Sequence, residues 1–129
     1  MRLQEFVDDY SLEERVDDYL ERGYVLGAFS GKRLVGLALC RPSEGEEEYA
    51  YLSIVSVDKT YRGQGLGKRL IEKCLALLKG SGEKGVTLHT WSTAAAARTL
   101  YEKLGFRQTR TEKRVRGPGG DAVTYERSF

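Results

Sequence analysis

Leu12, Val16, Tyr19 and Leu20 recur at helical spacing with acidic residues opposite them, behind the capping box Ser11-Leu12-Glu13-Glu14, so the chain opens with an amphipathic helix that Gly23 stops. The period then changes. Tyr24 to Ser30 and Arg33 to Cys40 read as two strands joined by a short turn containing Gly31, and Pro42 to Glu48 reads as a loop. From Glu48 to Val57 the residues are apolar or aromatic with little alternation, the pattern of a strand covered on both faces and central to its sheet. Leu66, Leu70, Ile71, Cys74, Leu75, Leu77 and Leu78 return to helical spacing until Gly80-Ser81-Gly82 turns the chain back.

Gly85 to Trp91 reads as a second central strand. A helix separates it from the previous one, so the two should lie parallel with a right-handed crossover. A last helix, from about Ala94 to Leu104, turns Ala97, Leu100, Tyr101 and Leu104 inward and ends at Gly105. Its alanine run predicts a close approach to the sheet. Phe106 to Val115 and Ala122 to Phe129, about Gly117-Pro118-Gly119-Gly120, form a hairpin with a loose tip. At 129 residues the whole chain, 1–129, makes one α/β domain, with no repeat and no room for a separate substrate domain.

Between the Tyr49–Val57 strand and the helix that follows lies Arg62-Gly63-Gln64-Gly65-Leu66-Gly67. Three glycines remove the Cβ atoms that would keep an anion from the backbone, and the new helix offers unpaired N–H groups and the positive end of its dipole, which suits a phosphate. Residue 68 is Lys68, so neither GxGxxG nor the GxxxxGK[ST] loop fits. What fits is Arg-x-x-Gly-x-Gly, through Arg62, Gly65 and Gly67. Downstream, Ala97-Arg98-Thr99-Leu100-Tyr101-Glu102-Lys103-Leu104-Gly105-Phe106 matches A-x-x-L-Y-x-K-x-G-F. On these two segments the chain resembles the GNAT superfamily of N-acetyltransferases, strongly from Tyr49 to Phe106 and by element order alone in the flanks.

The resemblance implies a mixed, mostly antiparallel sheet around a central parallel β-α-β acyl-CoA unit. It also implies a shortened N-terminus, since one helix precedes the first hairpin where the family has a strand and two helices. The implied activity is direct acetyl transfer from acetyl-CoA to a primary amine of a small molecule or peptide within a ternary complex. Pantetheine would contact the backbone of Val55, Ser56 and Val57. The pyrophosphate would sit on N–H groups of Gly63, Gln64, Gly65, Leu66, Gly67 and Lys68, with Arg62 and Lys68 adding charge. Tyr101 matches the family tyrosine beside the thioester sulfur and would protonate the leaving thiolate.

Three departures stand out. Ala94 occupies the position of a frequent cofactor-holding asparagine, and the chain contains no asparagine; Ser92 or Thr93 would supply a hydroxyl instead or cap the helix, and capping is the favoured reading. Lys59 replaces a frequent proline. Where many relatives carry a glutamate base this chain has Tyr51, with Glu48 nearby; His89, the single histidine, lies on a central strand and reads as structural, leaving deprotonation to water.

Lys and Arg total 21 against 19 acidic residues, so the net charge of +2 argues against nucleic acid or an anionic membrane as partner. Charges at Arg2, Glu5, Asp8 and Asp9 occupy the place of a signal-peptide core, and a cytoplasmic protein is expected. Cys74 falls on an apolar helical face as a buried thiol, and one histidine without Cys-x-x-Cys predicts no metal site. The acids from Glu44 to Glu48 and at Asp8, Asp9, Asp17 and Asp18 read as solvated surface rather than a site for a cationic acceptor. Two other functions fit the same residues. One is a non-catalytic acyl-CoA-binding regulatory module; the other is a subunit whose acceptor site a partner completes, or a homodimer paired through the final hairpin.

Overall fold

The computed structural model describes residues 12–113 and 120–129. Its elements are α1 (Leu12–Arg22), β1 (Tyr24–Ser30), β2 (Arg33–Arg41), β3 (Ala50–Val57), a 3-10 turn (Lys59–Tyr61), α2 (Leu66–Gly80), β4 (Gly85–Trp91), α3 (Ala95–Lys103), β5 (Arg107–Glu112) and β6 (Ala122–Ser128). One six-stranded sheet has the order β1-β2-β3-β4-β6-β5. Only β3 and β4, linked through α2, run parallel; every other neighbouring pair is antiparallel. Ser30 pairs with Arg33 across the two-residue Gly31-Lys32 turn, as the hairpin signal requires. The fold class and element order expected from the sequence hold, with β6 inserted between β4 and β5.

Two apolar layers hold the sheet. On one face Leu70, Ile71, Cys74, Leu75 and Leu78 of α2 pack on Ala38, Cys40, Leu52, Val86, Leu88, Val123 and Tyr125. On the other, Tyr19 of α1 meets Leu37 and Leu39, with Val16, Val25 and Ile54 around them. The strand buried on both faces is therefore β2, whose residues Val35 to Cys40 are all buried, rather than β3. The outer half of β3 is half-buried because it borders an opening described below. Leu20, expected on the inner helical face, is 65% exposed. Gly23 does end α1, its N–H donating to Tyr19 O at 2.9 Å. Ser11 of the capping box and most of the Gly117–Gly120 tip lie outside the described residues.

Cys74 is buried as expected and meets Cys40 of β2, both as free thiols. A hydrogen bond with the Cys40 thiol, together with burial, pushes the Cys74 thiol up and keeps it protonated. The alanine run does not bring α3 onto the sheet: no α3 residue is fully buried, and Ala96 and Ala97 face a cavity instead.

Gly85 is the point of closest backbone approach in the functional half of the sheet. A Cβ there would run into the Arg127 carbonyl oxygen and lie 3.1 Å from both Ser128 Cα and Tyr49 Cε1. Gly85→Ala is therefore expected to lower stability by about 1–3 kcal/mol, read as a fall in the urea midpoint at unchanged m. An unaltered midpoint would mean that β6 yields to the methyl without strain.

Candidate functional site

The parallel pair that joins the two halves of the sheet is short. Its registered partners are Ala50↔Val86 and Tyr51↔Thr87, after which the strands part. Each is held by its other neighbour: β3 stays paired with β2 as far as Gly36↔Val57, and β4 stays paired with β6 as far as Trp91↔Ala122. The result is a wedge between two well-anchored strands.

On the α2–α3 face the wedge opens into a cavity of about 590 Å³. Val55 and Val57 of β3 form one wall, Leu100 and Tyr101 of α3 another, and Arg62, Gly63, Gly65, Leu66, Gly67 and Lys68 the floor at the start of α2. Nine residues singled out in the sequence thus surround one space. Two others stand apart. Ser56 pairs with Leu37, whose side chain packs on α1, so alternation turns its hydroxyl away and leaves it a backbone contribution only. Gln64 borders a neighbouring hollow with Phe29 and Arg69.

The glycine turn has the geometry of an anion cradle. Gly63 and Gly65 hold φ of 80° and 79°, the left-handed region that side chains disfavour, and a Cβ at either would meet no atom within 4 Å. Gly65 caps α2 with no side-chain hydrogen bond, and no acid lies in the first turn. The first N–H groups of α2 have no intrahelical acceptor by helix geometry, so they and the dipole face open space. Arg62 has a further role: its Nε donates to Val57 O at 2.9 Å, strapping the turn to the end of β3. Asp58 stiffens the same corner by accepting from Thr60 N–H at 3.0 Å and pairing with Arg33 at 3.1 Å. Lys103, within the second motif but not predicted as a site residue, adds a cation to the wall.

Tyr101 is half-buried, its ring 5.8 Å from that of Phe106 and 6.1 Å from that of Tyr125. Burial pushes its phenol up, so it keeps its proton and can act as a donor across the neutral range. Leu100 and Tyr101 of α3, and Leu104 just after it, pack half-buried against the main core, and polar contacts that periodicity did not reveal hold the helix as well. Arg98 donates to Tyr125 Oη at 3.0 Å, to Ser92 O at 2.8 Å and to Gln108 Oε1 at 3.0 Å. The Tyr125 hydroxyl in turn donates to Glu102 Oε2 at 3.0 Å. Arg98 and Glu102, one turn apart, grip the tip of a tyrosine that is otherwise wholly buried, and so fix the helix that carries Tyr101. Ser92 corrects the capping expectation. The N-cap is Ala94, without a side-chain bond, while Ser92 Oγ accepts from Asp121 N–H at 2.9 Å and ties the β4–α3 loop to the start of β6.

The face of β3 and β4 away from the cavity carries Tyr51 and His89, whose rings lie 5.6 Å apart at 51°. His89 Nδ1 is 3.0 Å from Thr124 Oγ1, and the Arg41 guanidinium lies over Tyr51 at 5.2 Å. Glu48 is exposed on the loop before β3. Part of the acidic surface is already paired. Arg22 bridges Asp18 at 2.7 Å and Glu44 at 2.6 Å, and Arg41 holds Glu47 at 2.8 Å. Hydrogen bonds from Arg22 and Arg41 hold the Asp18 and Glu47 carboxyls below the usual carboxylate range. Among the described residues no group of three His, Cys, Asp or Glu is placed to hold a metal ion, and no helix is long and apolar enough to cross a membrane.

The profile of the acetyltransferase (GNAT) family matches residues 2–106. N-alpha-acetyltransferase 30 of Schizosaccharomyces pombe is 30% identical over 100 residues, 76% of this chain and 67% of its own length. Human N-acetylaspartate synthetase is 34% identical over 96 residues, 74% of this chain and 32% of its own length. A GNAT family acetyltransferase from Elizabethkingia anophelis, solved with acetyl-CoA bound, superimposes with a TM-score of 0.79 at 20% identity, over 98% of this chain and 88% of that one. The chain thus spans between a third and two thirds of the two curated relatives.

Proposed function

Because the chain belongs to the GNAT acetyltransferase family, whose acyl donor is acetyl-CoA, we propose that it transfers an acetyl group from acetyl-CoA to the amine of a peptide N-terminus or small molecule. The observation that carries this reading is the meeting, on one cavity, of an uncapped glycine turn, a parted pair of parallel strands and a protonated tyrosine. The donor fits that space: the open room beyond Gly63 and Gly65 admits a diphosphate, and the wedge admits an extended arm.

In this reading the N–H groups of Gly63 to Lys68 hold the diphosphate, each dipole contact worth about 0.3–1 kcal/mol when exposed, so that affinity comes from several donors acting together. Arg62 holds the turn in register with β3 while Lys68 and Lys103 add charge at the rim. Bound acetyl-CoA supplies a thioester whose carbonyl carbon accepts the amine and whose sulfur departs. The parted edges of β3 and β4 orient that arm along Val55–Val57, and Tyr101 donates its phenolic proton to the departing sulfur. Both substrates sit together, and no acetylated form of the protein intervenes. An α-amine of a peptide is the favoured acceptor because a named N-alpha-acetyltransferase is among the relatives.

The test is isothermal titration with acetyl-CoA and with the acetyl thioester of dephosphorylated pantetheine, followed by acetyl transfer to tetrapeptides with free N-termini. Saturable binding that requires the phosphates, together with transfer, is expected. Binding without transfer to any amine would make the domain a regulatory acyl-CoA sensor, and transfer only with an added subunit would assign it to a complex.

A further inference from the structure

Acid catalysis by Tyr101 makes a geometric demand that the cavity alone does not meet. A proton donor serves only an atom within hydrogen-bond reach, about 2.6–3.2 Å, and a misplacement of about 1 Å costs about 100-fold in rate. The helix that carries Tyr101 is short and open on one side. It has nine residues, its N-cap Ala94 makes no side-chain bond, and Ala96 and Ala97 in its first turn face the cavity rather than the sheet. Building on the proposed transfer reaction, in which Tyr101 is the acid, we propose that Tyr125 is a positioning residue for that step: its hydroxyl, clasped between Arg98 and Glu102, holds the Tyr101 phenol at the thioester sulfur.

Arg98, Tyr101 and Glu102 stand at i, i+3 and i+4 and share one face of α3. Opposite them lies Tyr125 of β6, wholly buried, its ring 6.1 Å from that of Tyr101 at 51°. The core asks only for the ring, which a phenylalanine would supply. A buried phenol also needs a hydrogen-bond partner, but this one has two, of opposite charge, from adjacent turns of a single helix. Arg98 Nε donates to Tyr125 Oη at 3.0 Å, and Tyr125 Oη donates to Glu102 Oε2 at 3.0 Å. Both bonds involve an ionised group, which makes them the stronger class. A hydroxyl that accepts from one turn and donates to the next fixes the helix along its axis as well as in rotation.

The same guanidinium refers the helix to the wedge. Arg98 also donates to Ser92 O at 2.8 Å, just past the end of β4, and to Gln108 Oε1 at 3.0 Å on β5. β4 is one of the two strands whose parting would receive the donor arm. Ser92 Oγ accepts from Asp121 N–H at 2.9 Å, so β4, the start of β6 and α3 are tied together around one cation. On the C-terminal side of Tyr101, the Phe106 N–H donates to Tyr101 O at 3.0 Å, and the Phe106 side chain is buried in the main core. Without the Tyr125 hydroxyl, α3 is free to pivot about this anchor. Tyr101 then shifts while the cavity floor, built from the glycine turn before α2, stays in place. Donor binding and acid catalysis rest on separate elements, so the loss falls on kcat.

The distinguishing experiment is a double-mutant cycle on the full chain, with acetyl-CoA and the tetrapeptide amine that the wild type acetylates fastest. Tyr125→Phe should lower kcat about 10-fold, the scale of a shift of about half an ångström, with the KM and the dissociation constant for acetyl-CoA unchanged. Added to Tyr101→Phe, the same substitution should lower kcat less than about 2-fold, because no acid remains to be misplaced. Glu102→Ala, at an exposed residue, should reproduce the Tyr125→Phe loss, and Glu102→Gln, which keeps an acceptor oxygen, should restore most of the activity. Equal losses from Tyr125→Phe in both backgrounds, or a loss in acetyl-CoA affinity alone, would give the hydroxyl a structural role and overturn the proposal, as would no loss at all. A wild type that acetylates no amine, or a Tyr101→Phe protein with undiminished kcat, would instead overturn the reading on which the proposal stands.

Discussion

Gly65→Val is expected to raise the dissociation constant for acetyl-CoA by about 100-fold or more, equivalent to about 2.7 kcal/mol, without unfolding the domain. Gly65 is both the N-cap of α2 and a residue at φ 79°, and a Cβ built there meets no protein atom within 4 Å. The new side chain therefore pushes into the space where the diphosphate would lie rather than into the protein. Backbone strain for a side chain in the left-handed region is about 1–2 kcal/mol, below the 5–15 kcal/mol that a domain of ordinary stability holds in reserve. Gly31→Val is the matched control. Gly31 has φ 63° and equally open surroundings but lies in the β1–β2 turn, far in sequence from the cavity residues. Titration of both variants, with urea unfolding alongside, separates strain from obstruction. Equal affinities in the two would remove the glycine turn from the donor site.

The contrast between these two glycines also explains what could be read before the structure was known. Backbone-determined features leave strong marks in sequence. Gly63 and Gly65 record a turn held in the left-handed region, and the change from strand to helical period across them records the β-α-β unit, so the cavity floor and the parallel pair were legible. Features set by contact between distant segments leave little mark. Nothing near Arg98 indicates that its guanidinium will meet Tyr125, 27 residues on, nor that this grip will add to the packing of Leu100, Tyr101 and Leu104 in holding α3. The alanine run misled for the same reason: small residues permit close packing on a sheet, but here they line the space left where β3 and β4 part. Burial on both faces of β2 escaped notice because it depends on α1 and α2 covering opposite sides of one hairpin.

The second large effect is expected at Tyr101, where replacement by Phe removes one hydroxyl and keeps the ring contacts with Phe106 and Tyr125. If the phenol protonates the departing sulfur, kcat at neutral pH falls about 100-fold while acetyl-CoA affinity is unchanged, because the turn that holds the diphosphate is untouched. The deficit should narrow as pH rises past about 8.5, the ordinary value for an alkyl thiol, since the thiolate then leaves without needing a proton. Stability supplies an independent readout. Burial raises the Tyr101 phenol above its unfolded value, so above about pH 10 the unfolded chain gives up this proton more readily than the folded one, and stability is lost as pH climbs from the unfolded value towards the folded one. The Phe variant lacks this contribution and should lose less stability over that interval, whereas Cys74, also held protonated in the fold, contributes the same alkaline loss to both proteins. Urea unfolding of wild type and variant across alkaline pH measures the difference directly. A variant with the expected stability profile but unaltered kcat at every pH would leave Tyr101 as a buried wall of the cavity and pass the role of acid to water.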